Sequence, residues 1–573
     1  MVTRIVFFAW VATAALVSSS SVTGNPGLFR PVDLFACRDQ LLVVNRDRGS
    51  LTRIDPVSMR IVSEQRVSDH LTAGLALDDG RVVVIDGDQH RLTIVGEEDQ
   101  YGAHDWLSLP ASPLSIQKVP HEPTCVVASS WARRLSIVDV SGRVGRLSGQ
   151  IDLPFSPREM LFHRDGTLWV ADAFGGKLAG INLENRQLIR VRQLKETHNI
   201  TGLAVAHDGE TLYVTHQMLS GRESTTAPNV HWGDVMSNVV RRVDLAWFVT
   251  DAPEETTAND FYFLGYPDSA AGDPTGLLIT TGNRFVVLFS GVDEVAISDI
   301  GMNHFQRPAV GRRPTAMWMD ESRGQLFVAN QFDDSISVVD LQRSREIKRL
   351  DLGDTRSPTM AELGEQFFYD ARLSSDGWYS CHSCHTDGHT NGRLSDTLGD
   401  GYHGAAKLVP SLFGTAETRP WAWNGKMATL EGQIRKSIET TMRGPTPTTE
   451  QVQAIAAFLM VLPQPPPLSE ARRETETELL DDGQELFARE GCIECHRGSH
   501  LTSPDTYDVG LVDSDGGRQF NPPSLLGVGH RTRLLHDGSA HSIREALRIH
   551  PYGEPIQLDD NEWQALEAFL RSR

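Results

Sequence analysis

The sequence predicts a multidomain protein, an all-β ring of seven repeated units followed by two small all-α units. Three observations carry this. A strand-rich phrase recurs through the first 353 residues, two C-x-x-C-H motifs stand at 381–385 and 492–496 among helical patterns, and a proline run separates those motifs. A chain of 573 residues is also too long for one ordinary core.

Residues 1–24, MVTRIVFFAWVATAALVSSSSVTG, set Arg4 ahead of an apolar stretch over 5–17 and then small polar residues. That is the pattern of an export signal (signal peptide) and places the mature chain in the periplasm or outside the cell, with an uncleaved anchor as the alternative. No later apolar run is long enough to cross a bilayer, so an integral membrane protein is not expected. The formal charge of −21, from 54 basic and 75 acidic side chains, argues against nucleic acid as a partner.

The ring is expected over 25–353. Its clearest phrase is LFVANQFDDSISVVDLQRSREIKRLDLG at 326–353, an apolar strand, a polar turn, an alternating strand and a charged hairpin. Weaker copies begin at LLVVNRDRGSLTRID, RVVVIDGDQHRLTIV, TCVVASSWARRLSIVD, TLWVADAFGGKLAGIN, TLYVTHQM and FVVLFSGVDEVAIS. Alignment puts Val43, Val84, Val127, Val170, Val214, Leu288 and Val328 in one column, with gaps of 41, 43, 43, 44, 74 and 40 residues. A period of about 40 residues made only of short strands is that of β-propeller blades, four-stranded sheets that cannot bury both faces alone. Seven copies give seven blades; a degenerate blade in the long gap would give eight. The repeats resemble the YVTN-type propellers of exported bacterial proteins.

The long gap holds about 30 residues beyond the usual period, including NVHWGDVMSNVV and TDAPEETTAND. Contact with the other half of the chain and a plain surface loop are the two expectations for it. Cys37 and Cys125 fall in the first and third repeats, as a disulfide or as two small buried thiols.

The remaining cysteines are Cys381 and Cys384, followed by His385, and Cys492 and Cys495, followed by His496. The histidine suffix decides their chemistry. C-x-x-C-H is the attachment motif of c-type haem: two thiols about one helical turn apart bond the vinyl groups, and the next imidazole meets the iron. The pairs are too far apart for a zinc ribbon, and the βαβ setting of a thioredoxin-like pair is missing. Two covalently bound haem c groups are therefore expected. Leu363, Phe367 and Phe368 lie at helical spacing before the first motif, and EQVQAIAAFLMVLP and NEWQALEAFLRSR close the two units. The run PQPPP at 463–467 is a stiff linker. The units are read as two all-α cytochrome c domains, 354–465 and 466–573.

Three blocks, ELGEQFFYDARLSSDGWYSCHSCH, VPSLFGTAETRPWAWNGKMATLEGQI and NPPSLLGVGHRTRLLHDGSAHSIREAL, resemble in order those of the bacterial di-haem cytochrome c peroxidase family, which includes the MauG-type enzymes. The resemblance covers about 355–573. It implies a first haem where peroxide reacts, a second low-spin haem that delivers electrons, and a Trp between them. His385 and His496 become the proximal ligands, and AWNG makes Trp423 the bridge. It also implies a small cytochrome or cupredoxin as redox partner, peroxide or another small substrate, and calcium between the haem units.

The departures are specific. Fourteen residues after His536, where the peroxidases place a Met ligand, this chain has His550; a bis-His second centre has a lower potential than a His–Met one. IETTMRG puts Thr441 where the peroxidases carry a Glu, leaving Glu439 and Glu431 as substitutes for the proton-transfer group that peroxide cleavage requires. The distal His of the family falls at Asp400, with His403 three residues on. A loop slip would bring His403 to the first iron; His389, Met427 and Met442 are further candidates. Two functions follow from these features, a peroxidase-like oxidoreductase and a non-catalytic electron-transfer protein with a propeller dock. A dehydrogenase propeller feeding the haems is a third, resting on architecture alone.

Overall fold

The computed structural model describes residues 27–96, 105–253, 260–302, 304–399, 401–474, 477–550 and 556–573. The export-signal segment, residues 254–259 of the insertion and Asp400 lie outside the described residues.

Seven antiparallel sheets follow one another over 31–66, 73–108, 113–152, 157–193, 197–263, 274–299 and 314–351, each a meander in strand order. They are blades 1 to 7 of one ring. Strand alternation explains why blades must stack. In the second strand of blade 1, Val43 packs against Phe327 and Ile336 of blade 7, while Leu42 and Val44 pack against Val82 and Val84 of blade 2. Neither face reaches water, so each blade needs two neighbours. Val84, Val127, Val170, Val214 and Val328 likewise face the preceding blade.

Leu288 does not belong in that column. It faces blade 7, and Val287 packs against Tyr213 and Val240 of blade 5. The strand Arg284–Phe289 is apolar on both faces, so its pattern looks the same after a one-residue slip.

Blade 7 is built wholly from 314–351. The ring closes side by side, with Arg30 N donating to Asp334 Oδ1 at 2.7 Å and Thr315 Oγ1 to the Pro31 carbonyl at 3.3 Å. Blade 6 has three strands; bridges from Glu294 to Ala309 and from Ile297 to Gln306 cover its outer edge. Cys37 and Cys125 are buried in different inter-blade cores and are not joined in a disulfide.

Blade 5 carries the insertion, with short helices α1 (Ala227–His231) and α2 (Leu245–Phe248). Its first part meets the other half of the chain. Leu219, Val230, Val235 and Met236 share a core with Phe368, Trp378 and Met442, and Trp378 Nε1 donates to the His231 carbonyl at 3.1 Å.

The helical half begins with α3 (Met360–Phe368), opened by a Thr359–Glu362 capping box, and the single turn α4 (Cys381–Cys384). Helix α5 (Leu430–Lys436) widens into a π turn over Ser437–Thr441, and α6 (Thr449–Val461) follows. Beyond the proline run come α7 (Leu468–Arg472), α8 (Thr477–Arg489), α9 (Ile543–Ile549) and α10 (Asp560–Arg571).

The two helical units repeat one crossing. Gly364 of α3 abuts Ala454 of α6, with Phe368 on Phe458 at 5.2 Å; Gly483 of α8 abuts Ala565 of α10, with Phe487 on Phe569 at 5.3 Å. No described helix is long and apolar enough to cross a membrane.

Candidate functional site

Both C-x-x-C-H motifs line one continuous cavity of about 470 Å³ in the helical half. In the first, α4 sets Cys381 and Cys384 one turn apart, and His385 N closes the turn on the Cys381 carbonyl at 2.9 Å. His385 Nδ1 donates to the Pro410 carbonyl at 2.8 Å. Since a carbonyl only accepts, Nδ1 carries the proton and Nε2 is left as the donor to a metal. Burial pulls this imidazole down to about 4 and pushes both thiols up to about 12.

The second motif repeats the arrangement on a 3₁₀ turn, Cys492–Glu494, entered through the left-handed Gly491 (φ 77°). His496 N bonds the Cys492 carbonyl at 2.9 Å, and His496 Nδ1 bonds the Leu501 carbonyl at 3.0 Å. Burial again lowers the imidazole to about 4 and raises Cys492 to about 11. Two thiols on one turn, an imidazole with one nitrogen already engaged and a largely apolar cavity form a donor set that fits haem c at each motif.

His550, at the C-terminal end of α9, lines the cavity, and its charge would oppose protonation of His496. Trp423 also lines it. The indole Nε1 donates to the Leu408 carbonyl at 2.8 Å, Leu408 N to the His536 carbonyl at 2.7 Å, and Asn521 N to the Trp423 carbonyl at 2.8 Å. Trp423 is thus tied into both helical units.

Of the other expected residues, Glu439, Glu431, His403 and His389 lie off the cavity wall. The helix turns Gln433, Ile434, Ser437, Ile438, Thr441 and Met442 inward, which leaves Glu439 on a different side and Glu431 exposed on the first turn of α5. His403 is exposed on its loop and is not part of the cavity wall. His389 is buried outside the cavity, ringed by Trp131, Phe174 and Phe413. Met427 and Met442 are on the wall. Among the described residues, the cluster of side chains able to hold a metal ion is His231, Asp268 and Asp376, between the insertion, the propeller and the first helical unit.

Sequence reasoning missed three contributors. Lys436 reaches the wall and donates to Thr441 Oγ1 and to the Thr397 carbonyl, both at 3.0 Å. Asp273 and His198 of the propeller bond the first attachment turn directly. The helical spacing of Lys436 to the inward residues 433 and 437 is a local signal. None marks Asp273 or His198, which stand more than 100 residues before the motif.

Residues 358–462 match the profile of the family described as di-haem cytochrome c peroxidase. The methylamine utilization protein MauG of Methylophilus methylotrophus is 24% identical over 34% of this chain and 73% of its own length. The cytochrome c551 peroxidase of Nitrosomonas europaea is 22% identical over 33% of this chain and 71% of its own. Among solved structures, Kuenenia stuttgartiensis hydrazine synthase aligns with a TM-score of 0.47 at 17% identity, over 56% of this chain and 98% of its own. A family of this description carries haem c, and its relatives are peroxidase-like oxidoreductases. The C-terminal part of this chain, behind a seven-bladed β-propeller, is related to the di-haem cytochrome c peroxidases and MauG-type proteins.

Proposed function

We propose that the chain is an exported, periplasmic di-haem oxidoreductase of the peroxidase kind, divided into a propeller over 25–353 and cytochrome c domains over 354–465 and 466–573. The single observation that carries this is the continuous cavity joining the two C-x-x-C-H motifs, with Trp423 on its wall and tied to both helical units. Cys381, Cys384 and His385 would hold the first haem; Cys492, Cys495 and His496 would hold the second, with His550 on the cavity wall as a further residue able to bind it. When bound, these groups supply one-electron chemistry and, at the first site, a position for the peroxide oxygen.

The protein's own residues do the rest. The acidic surface attracts a small basic electron donor, such as a cytochrome or cupredoxin. Trp423, held at both its indole and its carbonyl, gives the electron a fixed aromatic route between the sites. Reducing peroxide to two waters consumes two electrons and two protons. The Lys436 ammonium donates to Thr441 Oγ1, which leaves that hydroxyl's own proton free to be given into the cavity, so the pair supplies the proton-donating half of the carboxylate's part and the proton-accepting half falls to water.

One observation favours the carrier reading instead: no carboxylate from the 430–442 segment lines the cavity. Electron paramagnetic resonance of the haem-loaded protein, oxidised and half-reduced, separates the two. A high-spin component that changes on adding peroxide supports the oxidoreductase. Two low-spin signals indifferent to peroxide in both states would replace it with an electron carrier.

A further inference from the structure

We propose that the propeller braces the first haem site from outside the cavity, with Asp273 as a positioning residue that fixes the attachment turn and holds down the first haem's reduction potential. This rests on the reading that the first motif carries haem.

Asp273 is 3% exposed, in a left-handed conformation (φ 50°) immediately before the inner strand of blade 6. Its two oxygens are divided between two hydroxyls. Ser380 donates to Oδ2, and Ser383 donates to Oδ1 at 2.5 Å. Ser380 precedes Cys381 and Ser383 precedes Cys384, so the neighbours of both attachment thiols are tied to one propeller carboxylate. The turn also braces itself, Ser380 N donating to Ser383 Oγ at 2.9 Å.

A second propeller residue meets the same turn. His198 is fully buried in blade 5, and its Nε2 donates to the Ser383 carbonyl at 3.1 Å; burial lowers the imidazole to about 3, so it is a neutral donor. Behind both lies a buried polar chain. Asn199 donates to Gln217 at 2.8 Å, Gln217 to Asn238 at 2.9 Å and to Asp273 at 3.4 Å, and Asn238 to the Trp378 carbonyl at 2.9 Å. A network whose members hold one another has few alternative arrangements.

Every side-chain hydrogen-bond partner of Asp273 is neutral; its charge acts on the Arg313 guanidinium without a hydrogen bond to it. Through Ser380 and Ser383 the carboxylate stands one residue away from each attachment cysteine. Its field favours the more positive, oxidised iron at the first site, which lowers its potential.

The test is redox titration of the full haem-loaded chain, following each haem by its own spectral signal. Asp273→Asn keeps the shape and removes the charge. The expected result is a positive shift of the first haem's midpoint, an unmoved second haem, and a haem count of two. Ser383→Ala keeps the charge and loosens the turn; it is expected to split the first haem's paramagnetic signal into more than one species and to leave the second unchanged. If Asp273→Asn does not fold, Ser383→Ala decides alone. Two haems with unaltered midpoints and signals, or equal shifts at both, overturn the inference. A wild-type chain with no haem at the first motif overturns the underlying haem reading instead.

Discussion

Gly364 of α3 lies so close to α6 that a Cβ added to it would stand 1.9 Å from the Ala454 carbonyl oxygen. Backbone cannot yield as a flexible side chain does, so the helices must separate. Gly364→Ala is expected to cost about 1–3 kcal/mol, the usual range for forced overpacking, and to lower the melting temperature. Gly483→Ala repeats the insult against Ala565, at 2.2 Å. Thermal unfolding followed at each haem's own absorbance should show the two substitutions acting on different haems.

Trp423→Phe retains an aromatic ring and removes the bond to Leu408. Reduction of the first haem by the second is expected to slow by about tenfold or more, equivalent to about 1.4 kcal/mol in the barrier. Stopped-flow reduction checks this; an unchanged rate would mean that electrons cross elsewhere.

Replacing His550 with Met exchanges imidazole for thioether at the second site. The second haem's potential is expected to rise while the first stays where it was, because Met ligation raises haem potentials. A potential that does not move places His550 outside the coordination sphere.

Peroxide turnover should separate Lys436 from Glu439. Lys436→Met removes a cavity-wall donor and is expected to lower turnover by about a hundredfold or more, the range for losing proton transfer. Glu439→Gln, off the wall, is expected to leave turnover within about twofold.

His530, 3% exposed, is lowered to about 4, mainly by burial, while its Nε2 donates to the Pro466 carbonyl at 2.8 Å. Its folded value lies below the unfolded one of about 6.5, so the unfolded chain takes the proton first. The stability it contributes is present above about pH 6.5 and is lost as pH falls toward 4. His530→Gln, which retains a donor, is expected to make urea unfolding midpoints fall less steeply than wild type over that window.

Much of this architecture is written in local pattern. The propeller is legible because each blade must bury both faces of its middle strands, so Val43, Val84, Val127 and Val170 recur at one position. Leu288 was misplaced for the same reason: where both faces are apolar, the sequence does not show which residue faces which neighbour. The attachment motifs are legible because one turn of chain holds all three groups. Trp423 was singled out by the family block AWNG, and it lies on the cavity wall. Glu439 and His403 were misplaced because the π turn and the loop conformation, not the spacing, decide what faces the cavity. Asp273 and His198 come to the first motif only through the ring's tertiary closure.

Because blades 7 and 1 close side by side, a propeller of this kind joins a gene at a single splice. Nothing within the haem-bearing half need be cut to receive it. The contact it then makes is broad, with Arg46, Arg158, His198, Asp273 and Arg313 meeting the helical half from blades 1, 4, 5, 6 and 7. Fusion to such a module is one genetic event, whereas exchanging it for a foreign propeller would demand concerted change at all of those blades and at blade 3, where Arg133 donates to the His530 carbonyl.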